Sequence, residues 1–296
     1  MDLTVLQFLA APFAASLIIA GIHAYLGVHV VERGVIFVDL SLAQIAAFGA
    51  AMALFLPFTG GDPHGSGIYW VSVAFTLLGA AIFSTVRGQR ARIPQEAIIG
   101  ISYAVASAAT ILAMSKATAE SEHLKDMLVG NILAVSWSEV LNTAVLYLVI
   151  GVFHYVFRRR FLSISMDHDR AETDVRRIRL WDFLFYASFG FVVTRSVAIA
   201  GVLLVFCYLI VPSVAAMLYA DRIGPRLAIG WTMGTVVSAL GIYLSVKLDL
   251  PTGATMVCTF GLVLIVMAAV RPLLIRGSRT AAPVSSPAAV AVGEKR

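Results

Sequence analysis

The sequence predicts an all-α membrane protein with eight or nine transmembrane helices, and two observations lead to that class. Of the 296 residues, 59% are hydrophobic and 13% are charged, which is about half the charged share of an ordinary soluble domain. A bilayer core about 30 Å thick requires about 20 helical residues, so the apolar sequence provides eight or nine crossings. The two cysteines, Cys207 and Cys258, lie in apolar runs, which excludes a disulfide framework and a thiolate cluster for zinc.

Nine apolar segments follow one another along the chain. The predicted spans lie at about 5–28, 35–58, 68–86, 97–115, 138–157, 182–194, 197–220, 227–247 and 253–274. The first begins without a positively charged region and is too long for a signal peptide, so we expect it to be retained. The segment 182–194 is short for a full crossing, and together with Thr194, Arg195 and Ser196 it is expected to form a broken or tilted element.

The distribution of basic residues predicts the orientation, because Lys and Arg accumulate in cytoplasmic loops. Alternate loops hold 18 of the 22 basic residues, and the opposite set holds only four. With nine crossings, the N-terminus lies outside and the C-terminus inside. The net charge of +5 is therefore divided among loops and lines no single surface, so no nucleic-acid partner is expected.

A change in composition near the C-terminus predicts two regions. From Gly277 onward the chain is rich in Ala, Pro and Ser and poor in large apolar residues, which favours disorder. We therefore expect a transmembrane domain at 1–276 and a disordered cytoplasmic tail at 277–296.

The motifs of soluble catalysis are missing from the sequence. It contains no G-x-x-x-x-G-K-[ST] phosphate loop, no Gly-x-Ser-x-Gly elbow, no H-E-x-x-H helix and no Cys-x-x-Cys pair. The chain is therefore expected to be no enzyme, to have no catalytic residues and to bind no cofactor. Transport or channel activity remains, driven by an ion gradient or by a partner that hydrolyses ATP.

Three stretches of the chain resemble one family of membrane proteins, the permeases of the zinc, manganese and iron ABC importers. Residues 20–51, AGIHAYLGVHVVERGVIFVDLSLAQIAAFGAA, are similar to the signature region of that family. Residues 201–218, GVLLVFCYLIVPSVAAML, resemble its G-x-L-L-V-x-x-L-L-x-x-P-A-A-T-A run. Residues 241–257, GIYLSVKLDLPTGATMV, are similar to its G-x-Y-L-S-x-x-x-D-L-P-T-G-A-T segment. The resemblance extends in order over residues 10–275.

The resemblance implies a permease with the fold of the vitamin B12 and siderophore importers, the type II ABC importers. It implies a homodimer with the pathway at the interface between two permease copies. Two ATP-binding subunits would dock on the cytoplasmic face, and an extracytoplasmic metal-binding protein would deliver a divalent metal ion as cargo. The chain would be a multi-pass protein in the lipid of a bacterial-type inner membrane.

The resemblance also implies a role for the segment after Pro212, which would be the coupling helix that enters a cleft on the ATP-binding subunit. The residues expected to make this contact are Ala216, Met217, Leu218 and Tyr219 by packing, and Asp221 and Arg222 by polar bonds at the rim. The alternative is a helix end turned by Gly224 and Pro225 at the membrane surface.

The chain departs from the family at the expected substrate site. Aligned without gaps from Arg33, the Asp of the family falls on Leu40 and its His falls on Gln44, while Asp39 lies one position earlier. A carboxylate and an imidazole four residues apart share one helix face and can hold a divalent ion, whereas Leu and Gln are poorer ligands.

Three explanations remain for this difference. Asp39 and Gln44, with His23 or His29 of the first helix, form a rearranged and oxygen-richer site that favours harder ions such as manganese. Alternatively, the membrane path holds no tight site and selectivity rests with the binding protein. In the third, the substrate is a chelated or organic molecule.

A function from another class is a secondary transporter or channel driven by an ion gradient. Proton relays usually require several carboxylates within the membrane, and Asp39 is the only candidate here. The sequence therefore favours the ATP-driven importer.

Overall fold

The computed structural model describes residues 3–57, 66–86, 93–116, 131–166 and 175–280, and these residues are almost entirely helical. They form ten α-helices in chain order: α1 Leu3–Glu32, α2 Val38–Ala53, α3 Ser66–Val86, α4 Gln95–Met114, α5 Trp137–Val156, α6 Arg158–Met166, α7 Val175–Ala200, α8 Val202–Met217, α9 Ile223–Leu248 and α10 Thr252–Thr280. A 3₁₀ turn, Ile132–Ala134, precedes α5.

Seven of these helices are long and apolar enough to cross a membrane, namely α1, α3, α4, α5, α7, α9 and α10. Two more, α2 and α8, are apolar but only 16 residues long. The described part of the chain thus contains nine apolar helices and one short polar helix, α6. The prediction of an all-α, multi-pass membrane protein is confirmed, with a helix count that agrees with eight or nine spans.

The helix expected at 182–194 is not broken. The helix α7 runs without interruption from Val175 to Ala200 over 26 residues. The apolar run underestimates its length because polar groups inside the helix find partners on neighbouring helices. Near its end, the Arg195 guanidinium donates to the Thr143 hydroxyl of α5 at 3.0 Å. The chain then turns at once into α8 through Gly201, whose φ of 77° is left-handed and costs glycine little.

The bundle is assembled around α1, which packs against α5, α8 and α9. A Cβ atom at Gly27 would lie 2.0 Å from the Leu209 carbonyl oxygen, so α1 and α8 approach too closely for any other residue. On α9, a Cβ at Gly234 would lie 2.9 Å from the Ala20 Cβ, and one at Gly230 would lie 3.2 Å from the Ala24 Cβ. Small residues four apart on both helices allow such close packing in membranes, where contact between surfaces replaces the hydrophobic driving force.

A second group of helices, α2, α3, α4 and α7, packs beside this assembly. Two ion pairs lie at one end of the bundle and involve helices of both groups. Arg33, directly after α1, binds Asp182 of α7, and Glu32 binds Arg226 of α9. We call the end of the bundle that carries these four residues the cytoplasmic end, following the predicted orientation.

The predicted boundary of the tail lies inside the last helix. The helix α10 continues to Thr280, so it extends beyond Gly277. The remainder of the predicted tail, 281–296, lies outside the described residues.

Candidate functional site

Asp39 lies in the first turn of α2 and is 1% exposed. Neither of its carboxylate oxygens has a hydrogen-bond partner among the described residues. The positive end of the α2 dipole favours a negative charge at this position, but burial of an unpaired carboxylate is unfavourable. Ionisable groups inside membrane proteins are functional candidates for this reason.

His23 of α1 is fully buried and presents a free ring nitrogen. Its Nδ1 lies 2.9 Å from the Ile19 carbonyl oxygen, and its Nε2 has no partner among the described residues. A carbonyl can only accept, so Nδ1 must carry the proton. In the neutral ring Nε2 then has a lone pair, which is the form that binds metal ions.

Tyr147 of α5 lies beside His23. Its ring centroid is 6.4 Å from that of His23, and its hydroxyl donates to the Val192 carbonyl at 3.1 Å. His23 thus has a phenol as its neighbour inside the bundle.

The sequence pattern gives no sign of Tyr147. This residue lies in an apolar span, where tyrosine is an ordinary core residue.

Gln44 lies apart from Asp39. Five residues along a helix correspond to a rotation of about 140°, and Gln44 is half-buried while Asp39 is enclosed. The structure therefore does not place the two side chains on one face of α2.

His29 belongs to a different polar cluster at the cytoplasmic end. Its Nδ1 lies 2.8 Å from the Ser165 hydroxyl of α6, which also accepts from Arg33 Nε at 2.9 Å. The Arg33 guanidinium donates to Asp182 at 2.8 Å and lies 3.9 Å from the centre of the Phe185 ring. His29 is about 9 Å along α1 from His23, so the two histidines serve separate regions.

The candidate ligands do not form a closed metal site. Among the residues that the structure describes, no group of three or more His, Cys, Asp or Glu side chains is placed to hold a metal ion. Three further side chains that the sequence offers as possible metal ligands, Glu120, Glu122 and His123, lie outside this part of the chain. Asp39 and His23 therefore offer at most two protein ligands, an arrangement suited to brief contact with an ion that keeps other ligands.

The segment after Pro212 forms a short turn at the cytoplasmic end, Leu218–Arg222, between α8 and α9. Pro212 and Ala216 are buried within the chain. Met217 and Leu218 are half-buried, and the exposed residues are Tyr219, Asp221 and Arg222. The surface available to a partner is therefore the turn itself.

Three side-chain bonds to main-chain carbonyls hold this turn in place. Arg226 Nε donates to the Ala220 carbonyl at 2.9 Å, and Arg271 Nε donates to the Leu218 carbonyl at 2.6 Å. The Tyr219 hydroxyl donates to the Met267 carbonyl. The turn is fixed to both α9 and α10 and presents its polar residues outward.

Comparison with known proteins gives one family. A sequence model described as the ABC 3 transport family matches residues 5–271. The chelated iron transport system membrane protein YfeC of Yersinia pestis is 27% identical over 82% of this chain and 79% of its own length. The manganese import system permease protein ScaB of Streptococcus gordonii is 23% identical over 90% and 92% of the two chains.

A solved structure shares the fold. A chain of PsaBC from Streptococcus pneumoniae in complex with Fab superposes with a TM-score of 0.71 and 22% identity. The similarity covers 88% of this chain and 91% of that one.

Proposed function

The chain belongs to the ABC 3 transport family and is a membrane permease of the metal and metal-chelate importer class, and from that premise we propose that it carries a divalent transition-metal ion. The ion moves inward along a path that passes Asp39 and His23. The observation that carries this proposal is the Asp39 carboxylate, which is buried with no hydrogen-bond donor among the residues that the structure describes.

The chemistry of the two side chains supports such a cargo. A carboxylate oxygen and a neutral imidazole nitrogen suit Mn²⁺, Fe²⁺ and Zn²⁺. Two ligands stabilise an ion less than the three or four of a resident site, so the ion is released readily. The names of the relatives, which mention manganese and chelated iron, agree with this range.

The energy for this movement comes from partner subunits. We propose that two ATP-binding subunits dock on the cytoplasmic face of the permease dimer, one on the turn Leu218–Arg222 of each copy. In this turn Tyr219, Asp221 and Arg222 are exposed, and Met217 and Leu218 beside them are half-buried. Pro212 and Ala216 shape the end of α8 from inside. A second permease copy completes the pathway, and an extracytoplasmic binding protein delivers the ion. The assembly lies in a bacterial inner membrane, and the ion is cargo, not a cofactor.

A second candidate is transport of a metal chelate by the same architecture. No three metal-binding side chains converge in the described part of the chain, which suits a cargo that brings its own ligands. The relative named for chelated iron belongs to the same family.

Reconstitution in liposomes tests both candidates. The permease, its cognate ATP-binding subunit and its binding protein are combined, and uptake and ATP hydrolysis are measured with Mn²⁺, Fe²⁺, Zn²⁺ and a ferric chelate. A bare metal ion that stimulates both activities supports the first candidate, and stimulation by the chelate alone supports the second. Uptake by the permease alone in an ion gradient would contradict the ATP-driven importer.

A further inference from the structure

The last turn of α1 leads to two neighbouring charged residues that contact opposite sides of the bundle. Glu32 accepts from Arg226 of α9, and Arg33 donates to Asp182 of α7. The end of α1 is therefore bound to both helix groups at the cytoplasmic end.

Arg226 connects this end to the turn Leu218–Arg222. One guanidinium nitrogen of Arg226 donates to the Glu32 carboxylate, while its Nε donates to the Ala220 carbonyl at 2.9 Å. A guanidinium is planar and rigid, so the two bonds have a fixed relative direction. A shift of the turn therefore changes the force that Arg226 exerts on Glu32.

A short connection joins the end of α1 to Asp39. Main-chain bonds from Gly34 to Val31, from Val35 to Val30 and from Val38 to Val35, at 3.1, 3.2 and 3.1 Å, order this link. Only six residues separate Glu32 from Asp39. Displacement of the end of α1 must therefore move the start of α2 with it.

We propose that Glu32 and Arg226 are positioning residues that transmit movement of the turn to Asp39 and His23. This inference rests on the proposed function, because the movement originates in an ATP-binding subunit docked on the turn. When the turn shifts, Arg226 pulls the end of α1, and both the helix that carries His23 and the first turn of α2 respond.

The variant Glu32→Gln tests the link while the bond between Arg226 and Ala220 is preserved. Uptake per ATP hydrolysed should fall at least about fivefold, the lower end of typical coupling between sites. Docking of the ATP-binding subunit should be unchanged, because the exposed residues of the turn are intact. A purely structural defect would lower docking and hydrolysis together.

Conservative and matched variants complete the experiment. Glu32→Asp keeps the charge and should retain most of the coupling, and Arg159→Gln, a neutralisation at an exposed residue without a bond to the turn, should behave as the wild type. If Glu32→Gln is unstable, Arg226→Lys replaces it. A single ammonium group cannot hold the two directed bonds of the guanidinium to Glu32 and Ala220, so uptake per ATP hydrolysed should fall in the same way.

The outcomes separate this inference from the proposed function. Unchanged uptake per ATP in Glu32→Gln, or in Arg226→Lys where that variant replaces it, overturns the link while the importer stands. Absence of any ATP-dependent uptake in the wild type overturns the importer, and the link falls with it.

Discussion

The Asp39 carboxylate is enclosed and has no hydrogen-bond donor within the described part of the chain. Such an arrangement costs free energy, and the cost is understandable where a passing cation relieves it. His23 complements this carboxylate because its Nδ1 is occupied by a carbonyl and its Nε2 is not. At the scale of single residues, the proposed path therefore depends on a carboxylate and an imidazole nitrogen that a passing ion can bind. It does not depend on a complete set of metal ligands.

The substitution Asp39→Asn tests this view. It removes the charge and keeps the size of the side chain, so the fold should persist. Metal uptake by the reconstituted assembly should fall at least about tenfold, the lower end of the loss found when groups around a metal ligand are removed. Uptake is measured with radioactive manganese at several concentrations.

A matched control is the same change at Asp249. This residue ends α9 with a left-handed φ of 52°, a conformation that asparagine tolerates. Asp249→Asn should transport as the wild type does. Equal uptake by the two variants would remove Asp39 from the path.

Among the elements, α1 has the largest role because it touches most of the other parts of the bundle. It carries His23 toward Tyr147, binds α6 and α7 through His29 and Arg33, and reaches α9 through Glu32. Its contact with α8 is possible because Gly27 has no side chain. The closeness of these two helices fixes the position of Cys207 relative to α1.

Gly27→Ala should therefore separate α1 from α8. Its Cβ would lie 2.0 Å from the Leu209 carbonyl and 2.3 Å from the Ser213 hydroxyl, distances that require backbone movement. The free energy of unfolding should fall by about 1–3 kcal/mol, as in other overpacked cores. Thermal or detergent unfolding of the purified chain provides the measurement.

Gly21→Ala is the control within the same helix. A Cβ at Gly21 meets nothing within 4 Å beyond its own helix, and alanine is the better helix former by about 1 kcal/mol. Its stability should equal or exceed that of the wild type. A loss as large as that of Gly27→Ala would show that close packing with α8 is not the cause.

For the whole molecule, the proposal requires that the turn Leu218–Arg222 and the end of α9 lie on opposite sides of the membrane. The helix α9 is 26 residues long, about 39 Å at the usual rise, which is sufficient to cross the hydrocarbon core. The ion pairs of Arg33 and Glu32 place the turn at the end of the bundle with Asp182. By the predicted orientation, that end faces the cytoplasm.

Reporter fusions check this orientation. Alkaline phosphatase, which is active only outside the cytoplasm, should be inactive when fused after Arg222 and active when fused after Asp249. Green fluorescent protein should give the reverse pattern. An active phosphatase after Arg222 would place the turn outside and exclude docking of an ATP-binding subunit.

Composition and hydropathy could determine the architecture because insertion into a bilayer depends on the length and polarity of each segment. The all-helical membrane class and the family motifs are local properties, and the structure and comparisons confirm them. The apolar run at 182–194 underestimated the length of α7. Asp182 and Arg195 have partners elsewhere in the bundle, and hydropathy takes no account of such partners.

The candidate site likewise combines features that the sequence indicates with features that only the packing of the helices decides. The sequence by itself identified Asp39 and His23 as polar groups within apolar segments, and it identified the segment after Pro212 by its motif. Only the tertiary structure decided that Gln44 lies away from Asp39, that His29 binds Ser165, and that Arg226 joins the turn to Glu32. The physical reason is that these relations depend on packing between helices far apart in the chain, and Glu32 and Arg226 are 194 positions apart. No local pattern of residues encodes which faces meet.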